Sequence, residues 1–162
     1  MKYLFPFLIL LTSILRAGNN PLSMNALRTP APPVIDGYGN DEAWRHANSA
    51  VGFVQRDPNE GAPATEQTEV KILYDDRNLY LYAMMADSSP EKIVARLSRR
   101  DNDNESDYFA VGFDSYNDKQ TSFIFIVSAS GSKYDAINFN DGRDEDASWD
   151  PVWESEVRIL PN

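Results

Sequence analysis

The sequence predicts an all-β protein, an antiparallel β-sandwich carrying one or two short helices. Three observations predict it. Apolar and polar residues alternate with period two in runs after residue 67, short connections rich in Asp, Asn, Ser and Gly join those runs, and helical spacing is confined to two brief stretches. Six or more such strands pack most readily as two sheets face to face. With 42% hydrophobic and 12% aromatic residues among 162, the chain has the material for a core of its own.

Residues 1–23 are read as a signal peptide. Lys2 precedes a thirteen-residue, almost wholly apolar run (YLFPFLILLTSIL) that Arg16 closes. A spanning helix needs about 20 apolar residues, so the expectation is an exported protein: periplasmic, outer-membrane-associated or secreted. No Cys follows the run, which excludes a lipoprotein anchor. Residues 24–34, with three prolines, form an extended lead-in. The domain proper is read as residues 35–162.

Ile35-Asp36-Gly37 signals a turn. Residues 41–47 fit about two helical turns, with Asn40 or Asp41 as cap and Trp44 and Ala47 on the docking face. Residues 51–54 are a short strand candidate and residues 55–67 a loop. Thr68, Val70, Ile72 and Tyr74 then share one strand face, and Glu69, Lys71 and Leu73 the other. Asp75-Asp76-Arg77-Asn78 turns the chain into a second strand, residues 79–85, which is apolar on both faces and therefore expected to be central. Residues 90–97 suggest a short helix begun at Ser88 or Ser89. Phe109, Val111 and Phe113 form the next strand face, followed by Phe123, Phe125 and Val127, then Tyr134, Ala136 and Asn138. Val152, Glu154, Glu156, Arg158 and Leu160 end the series.

Composition removes several classes of function. Twenty-five acids against 15 Lys and Arg give a net charge of −10, which disfavours nucleic acid and anionic membrane surfaces as partners. The absence of Cys excludes disulfides, Cys-zinc sites and thiol catalysis, and the single His46 excludes a multi-histidine metal site. No Ser lies in a nucleophile motif, and nothing singles out a carboxylate pair for glycoside hydrolysis, so no catalytic residue is assigned.

Two features carry chemistry. Residues 101–118 hold six acids and no Lys or Arg. The alternation Asp101-x-Asp103-x-Glu105, with Asp107 beyond it, can turn carboxylates toward one calcium ion, or it can be a solvated acidic loop. An EF-hand is excluded, because Ser106 and Gly112 stand at the sixth and twelfth positions. Trp149 and Trp153 share one face of an extended chain around Pro151, either as sugar-stacking platforms or as core packing, and the same two roles suit Tyr108, Tyr116 and Tyr134. Asn104-Glu105-Ser106 also matches a glycosylation acceptor.

Several pieces in order resemble family 9 carbohydrate-binding modules, especially the family-9-like domain at the front of some exported bacterial outer-membrane proteins. They are Val34-Ile35-Asp36-Gly37 with Asp41-Glu42-Ala43-Trp44; Ala64-Thr65-Glu66-Gln67-Thr68-Glu69-Val70; Leu73-Tyr74-Asp75-Asp76 with Leu79-Tyr80; residues 107–114 with Tyr116-Asn117-Asp118; and Trp149-Asp150 with Val152-Trp153. The resemblance spans roughly residues 33–157. It implies a β-sandwich with structural calcium and a non-catalytic sugar-binding role, often beside enzymes that degrade xylan or cellulose. It also implies a clamping Trp where this chain has Asn104. A polar inner strand reading Phe-Arg-Val-Asn is implied where this chain has Phe125-Ile126-Val127-Ser128. Ser128 thereby joins Trp149, Trp153 and Tyr108 as a candidate sugar-binding residue. Family-9-like modules continue for several strands, so the resemblance implies that residues 35–162 are incomplete at the C-terminus, with a hydrolase or a β-barrel following in a longer parent. In the second case the domain is a periplasmic interaction or plug element without sugar affinity.

Overall fold

A computed structural model describes residues 23–102 and 105–161; the expected signal peptide lies almost wholly outside the described residues. The first sheet contains β1 (Leu27–Arg28), β2 (Ser49–Ala50), β3 (Thr68–Tyr74) and β4 (Leu79–Met85), with the helix α1 (Glu42–His46) inserted before β2. The second contains β5 (Tyr108–Phe113), β6 (Ser122–Ser128), β7 (Lys133–Phe139) and β8 (Asp144–Asp146) in that order. The two sheets make the expected all-β sandwich, antiparallel except where β1 runs parallel to β3.

The β3–β4 hairpin pairs in full register from Thr68↔Met85 to Tyr74↔Leu79. Its turn is built by Asp75, whose Oδ1 accepts the backbone N–H of Arg77 at 2.7 Å and of Asn78 at 2.8 Å, while Tyr80 donates its hydroxyl to Oδ2 at 2.7 Å. The strand expected to be central, β4, is instead an edge strand on β3. The centre of the sheet is β3, because β1 and β2 share its other side. Residues 51–54 carry no strand; β2 lies just before them, and Val54 makes an isolated bridge to Pro63. The lead-in supplies β1 rather than only extended coil.

Trp44 fulfils its docking role. Only 4% exposed, it packs with Leu73 and Tyr80 and is flanked by Leu27, Ala43, Ala47 and Tyr82. Asp41 stands at the N-cap without a capping bond, because its Oδ1 accepts the Val34 N–H at 3.3 Å instead. Gly39, at φ 60°, has to be glycine: a Cβ there would lie 2.2 Å from the Tyr82 ring.

In the second sheet, alternation sorts the side chains onto two faces. One carries Phe109, Val111, Phe113, Phe123, Phe125 and Val127; the other carries Tyr108, Ala110, Gly112, Ile124, Ile126, Ser128, Tyr134 and Ala136. The final run, residues 149–161, is extended with alternating burial but joins no strand ladder among the described residues. Side chains hold it. Lys133 donates to the Trp153 carbonyl at 2.6 Å, Arg100 to the Pro151 carbonyl at 2.9 Å, and Arg158 to the Asp36 carbonyl at 2.7 Å while stacking over Tyr38. The run thus ties the second sheet to the turn that packs on β4. The expected helix over 90–97 shrinks to a 3₁₀ turn, Pro90–Lys92, and the chain beyond it is extended.

Candidate functional site

The β5–β7 registers place Tyr108 beside Ser128, and Ile126 between Ala110 and Tyr134, on the face away from the tryptophans. Tyr108, Ile126, Ser128 and Tyr134 line a cavity of about 300 Å³. Ile126 lies in it with Tyr108 and Tyr134, and Asn102, Ser106 and Glu145 are among the polar groups around them. Its size sits at the low end of ligand cavities, roughly 300–1,000 Å³, and its apolar and aromatic side chains, Tyr108, Ile126 and Tyr134, stand among polar ones. Tyr134 hydrogen-bonds to Glu145 Oε1, which fixes the ring and the carboxylate together. Among the described residues Glu145 is the cavity's one carboxylate.

Ser128 is 6% exposed, and its hydroxyl is largely committed. It accepts the Ser132 N–H at 3.1 Å and pairs with the Ser130 hydroxyl at 2.8 Å. Ser130 in turn donates to the Arg96 carbonyl at 2.9 Å. With that proton spent, Ser128 must be the donor to Ser130, which leaves it one acceptor lone pair.

Trp149 and Trp153 are not brought to this cavity. They pack on the opposite face: Trp149 lies 4.9 Å from Phe123 and 5.5 Å from Phe125 between ring centroids, and Trp153 lies 5.3 Å from Phe125. Trp153 Nε1 donates at 2.9 Å to Oδ1 of Asp135, a fully buried carboxylate. Arg100 donates to the same oxygen at 2.6 Å and pairs with Asp150 at 2.7 Å. The Asp135 hydrogen bond is the largest cause holding the Arg100 guanidinium above its ordinary pKa. Four candidate sugar residues therefore divide into two at the cavity, Tyr108 and Ser128, and two in a packed aromatic cluster.

The expected calcium ligands do not gather either. Asp101 Oδ1 accepts the Asp135 N–H at 3.3 Å, Glu105 pairs with Arg96 at 2.9 Å, and Asp107 Oδ2 accepts the Val94 N–H at 2.8 Å. Asp103 lies outside the described residues. Among the described residues no three His, Cys, Asp or Glu side chains are placed to share a metal ion, so the described part of the motif does not fit one. A second hollow, larger and open, lies between the 118–120 and 140–144 turns. Its Asp118 Oδ1 already accepts the N–H groups of Gln120 and Thr121, and no aromatic residue lines it.

Sequence reasoning missed Glu145, Asn102, Ser98, Ser106 and Ser132 at the cavity. One signal was present: Ser128-Ala129-Ser130-Gly131-Ser132 repeats a hydroxyl with the period of a strand.

The fold is an all-β sandwich of two sheets. A family model described as "Carbohydrate family 9 binding domain-like" matches residues 35–156, and the chain belongs to that family. No curated protein and no solved structure was found to match.

Proposed function

We propose that this chain is a non-catalytic carbohydrate-binding module of an exported protein that acts on or captures polysaccharide. The cavity of Tyr108, Tyr134 and Glu145 carries the reading. Tyrosine rings offer flat apolar faces to the C–H faces of a sugar ring, and the Tyr134 hydroxyl, held on Glu145, orients its ring. The Glu145 carboxylate accepts sugar hydroxyls through charge-assisted hydrogen bonds, stronger than neutral ones. Ile126 supplies an apolar floor where a charged donor would have required a partner. Export rests on Lys2 and the apolar run behind it.

Titration of the full chain against a panel of soluble neutral oligosaccharides and plant polysaccharides tests the reading. Tyr108→Ala weakens binding about 30-fold, the loss of roughly 2 kcal/mol typical of an aromatic anchor. A folded chain that binds no glycan on the panel overturns this reading and leaves an interaction domain without sugar affinity in its place.

A further inference from the structure

One side of the cavity comes from neither sheet. Residues 94–98 run extended past the ends of β5 and β6, and belong to no strand. Ser98 at the end of this run and Asn102 just beyond it line the cavity. Every second residue of the run has both its backbone N–H and its carbonyl held from outside. Val94 gives its N–H to Asp107 Oδ2 at 2.8 Å and accepts the Asp107 N–H at 2.9 Å. Arg96 gives its N–H to the Ser106 hydroxyl at 2.8 Å, and its carbonyl accepts from Ser106 at 3.2 Å and from Ser130 at 2.9 Å. Ser98 gives its N–H to the Ser132 hydroxyl at 3.0 Å, and its carbonyl accepts from Ser132 at 3.1 Å.

This is the pairing pattern of a β-strand with side-chain groups in place of most of a partner backbone. A ladder partner fixes a strand through a continuous chain. Here the hydroxyls of Ser106, Ser130 and Ser132 and the Asp107 carboxylate supply, through rotatable bonds, every contact but one, the Asp107 N–H on the Val94 carbonyl, so the strap can part from the sheet without unpairing β5, β6 or β7. Its far end is anchored by Arg100 on Asp135 and by the Asp101 N–H on the Lys133 carbonyl at 3.0 Å.

We propose that Ser106 and Ser132 are positioning residues for the cleft: they hold the 94–98 strap as a wall, and this hydroxyl zipper sets which ligand width the cleft admits. The ligand's identity rests on the carbohydrate reading above; the strap itself does not.

The test has two arms on the full chain. In the first, amide hydrogen exchange is followed without ligand for wild type and Ser106→Ala/Ser132→Ala. The zipper predicts that the Arg96 and Ser98 amides exchange at least tenfold faster in the double variant, with β5–β7 amides unchanged. Unchanged exchange in the strap, or acceleration through the whole sheet, overturns it. In the second arm, soluble xylo- and cello-oligosaccharides are the probes. The double variant shifts its preference between the two at least tenfold, because a freed wall changes the width the cleft admits. A loosened strap with unchanged preference overturns the positioning role. A wild-type chain that binds neither probe counts against the carbohydrate reading, and the exchange arm then decides the strap by itself.

Discussion

Asp135 concentrates, in one side chain, the cost of burying a charge. It has no exposed surface, and its Oδ1 collects both Arg100 and Trp153. Breaking a buried pair leaves an uncompensated charge, which costs more than the pair itself contributes. Arg100→Ala should therefore destabilise the chain by about 3 kcal/mol, the low end for a buried pair because Arg100 is itself partly exposed; denaturant titration measures it, and a change within about 0.5 kcal/mol would show that the pair holds nothing. Asp75 works in the opposite setting, at an exposed turn. The Tyr80 hydroxyl first, then the Arg77 and Asn78 N–H groups, hold its carboxyl below the ordinary range. A depressed folded pKa contributes stability that is present above the unfolded value and is lost as pH falls through the folded one. Tyr80→Phe should accordingly move the Asp75 titration, followed by carboxyl NMR, up toward the ordinary value near about 4 and flatten the acid limb of stability below that pH. An unmoved titration would assign the shift to the turn amides alone.

At the scale of elements, the period-two pattern was legible wherever two neighbouring strands enforced it. The β3–β4 hairpin, β5, β6 and β7 all appear where alternation placed them, because each has a ladder partner that selects the same face. It misled where side chains replaced the ladder. Residues 90–97 read as helix, yet β-branched Ile93 and Val94 disfavour one, and Asp107 and Ser106 capture the backbone groups a helix would need. The 149–161 run alternates like a strand and is extended, but it is fixed by Trp149, Trp153 and Arg158 rather than by backbone pairs. The same difference explains the divided site. Tyr108 and Ser128 come from paired strands, whereas the position of Trp149 and Trp153 depended on which face of β6 the unpaired run would cover, and no local pattern encodes that. Trp153→Ala should cost about 3 kcal/mol in stability, and Trp149→Ala should be destabilising too. Sugar affinity of the folded fraction of either variant should be unchanged. Loss of affinity at full folding in either variant would return that tryptophan to the binding site.

For the molecule as a whole, charge and burial point to a weakly held fold. The chain carries a net charge of −10, and like charge on a compact surface opposes compaction. Among the described residues the buried apolar side chains are Trp44, Val70, Leu73, Tyr80 and Ala136, most of them around α1 and β3. The β6 strand, apolar at five successive positions, is only half-buried at Phe123, Ile124, Phe125, Ile126 and Val127, although its pairing makes it central to the second sheet. Full burial of a side chain of that size is worth about 1.5–3 kcal/mol, so several half-covered ones forgo an amount comparable with the usual total of about 5–15 kcal/mol. The chain should unfold at low denaturant and bind a hydrophobic dye while folded. Sulfate should stabilise it more than sodium chloride at equal ionic strength. Both salts screen the acidic surface, but sulfate also strengthens apolar burial. Equal stabilisation by the two salts would make charge repulsion the dominant weakness. A sharp, high-temperature melt with no dye binding would show that β6 is better covered than its exposure indicates.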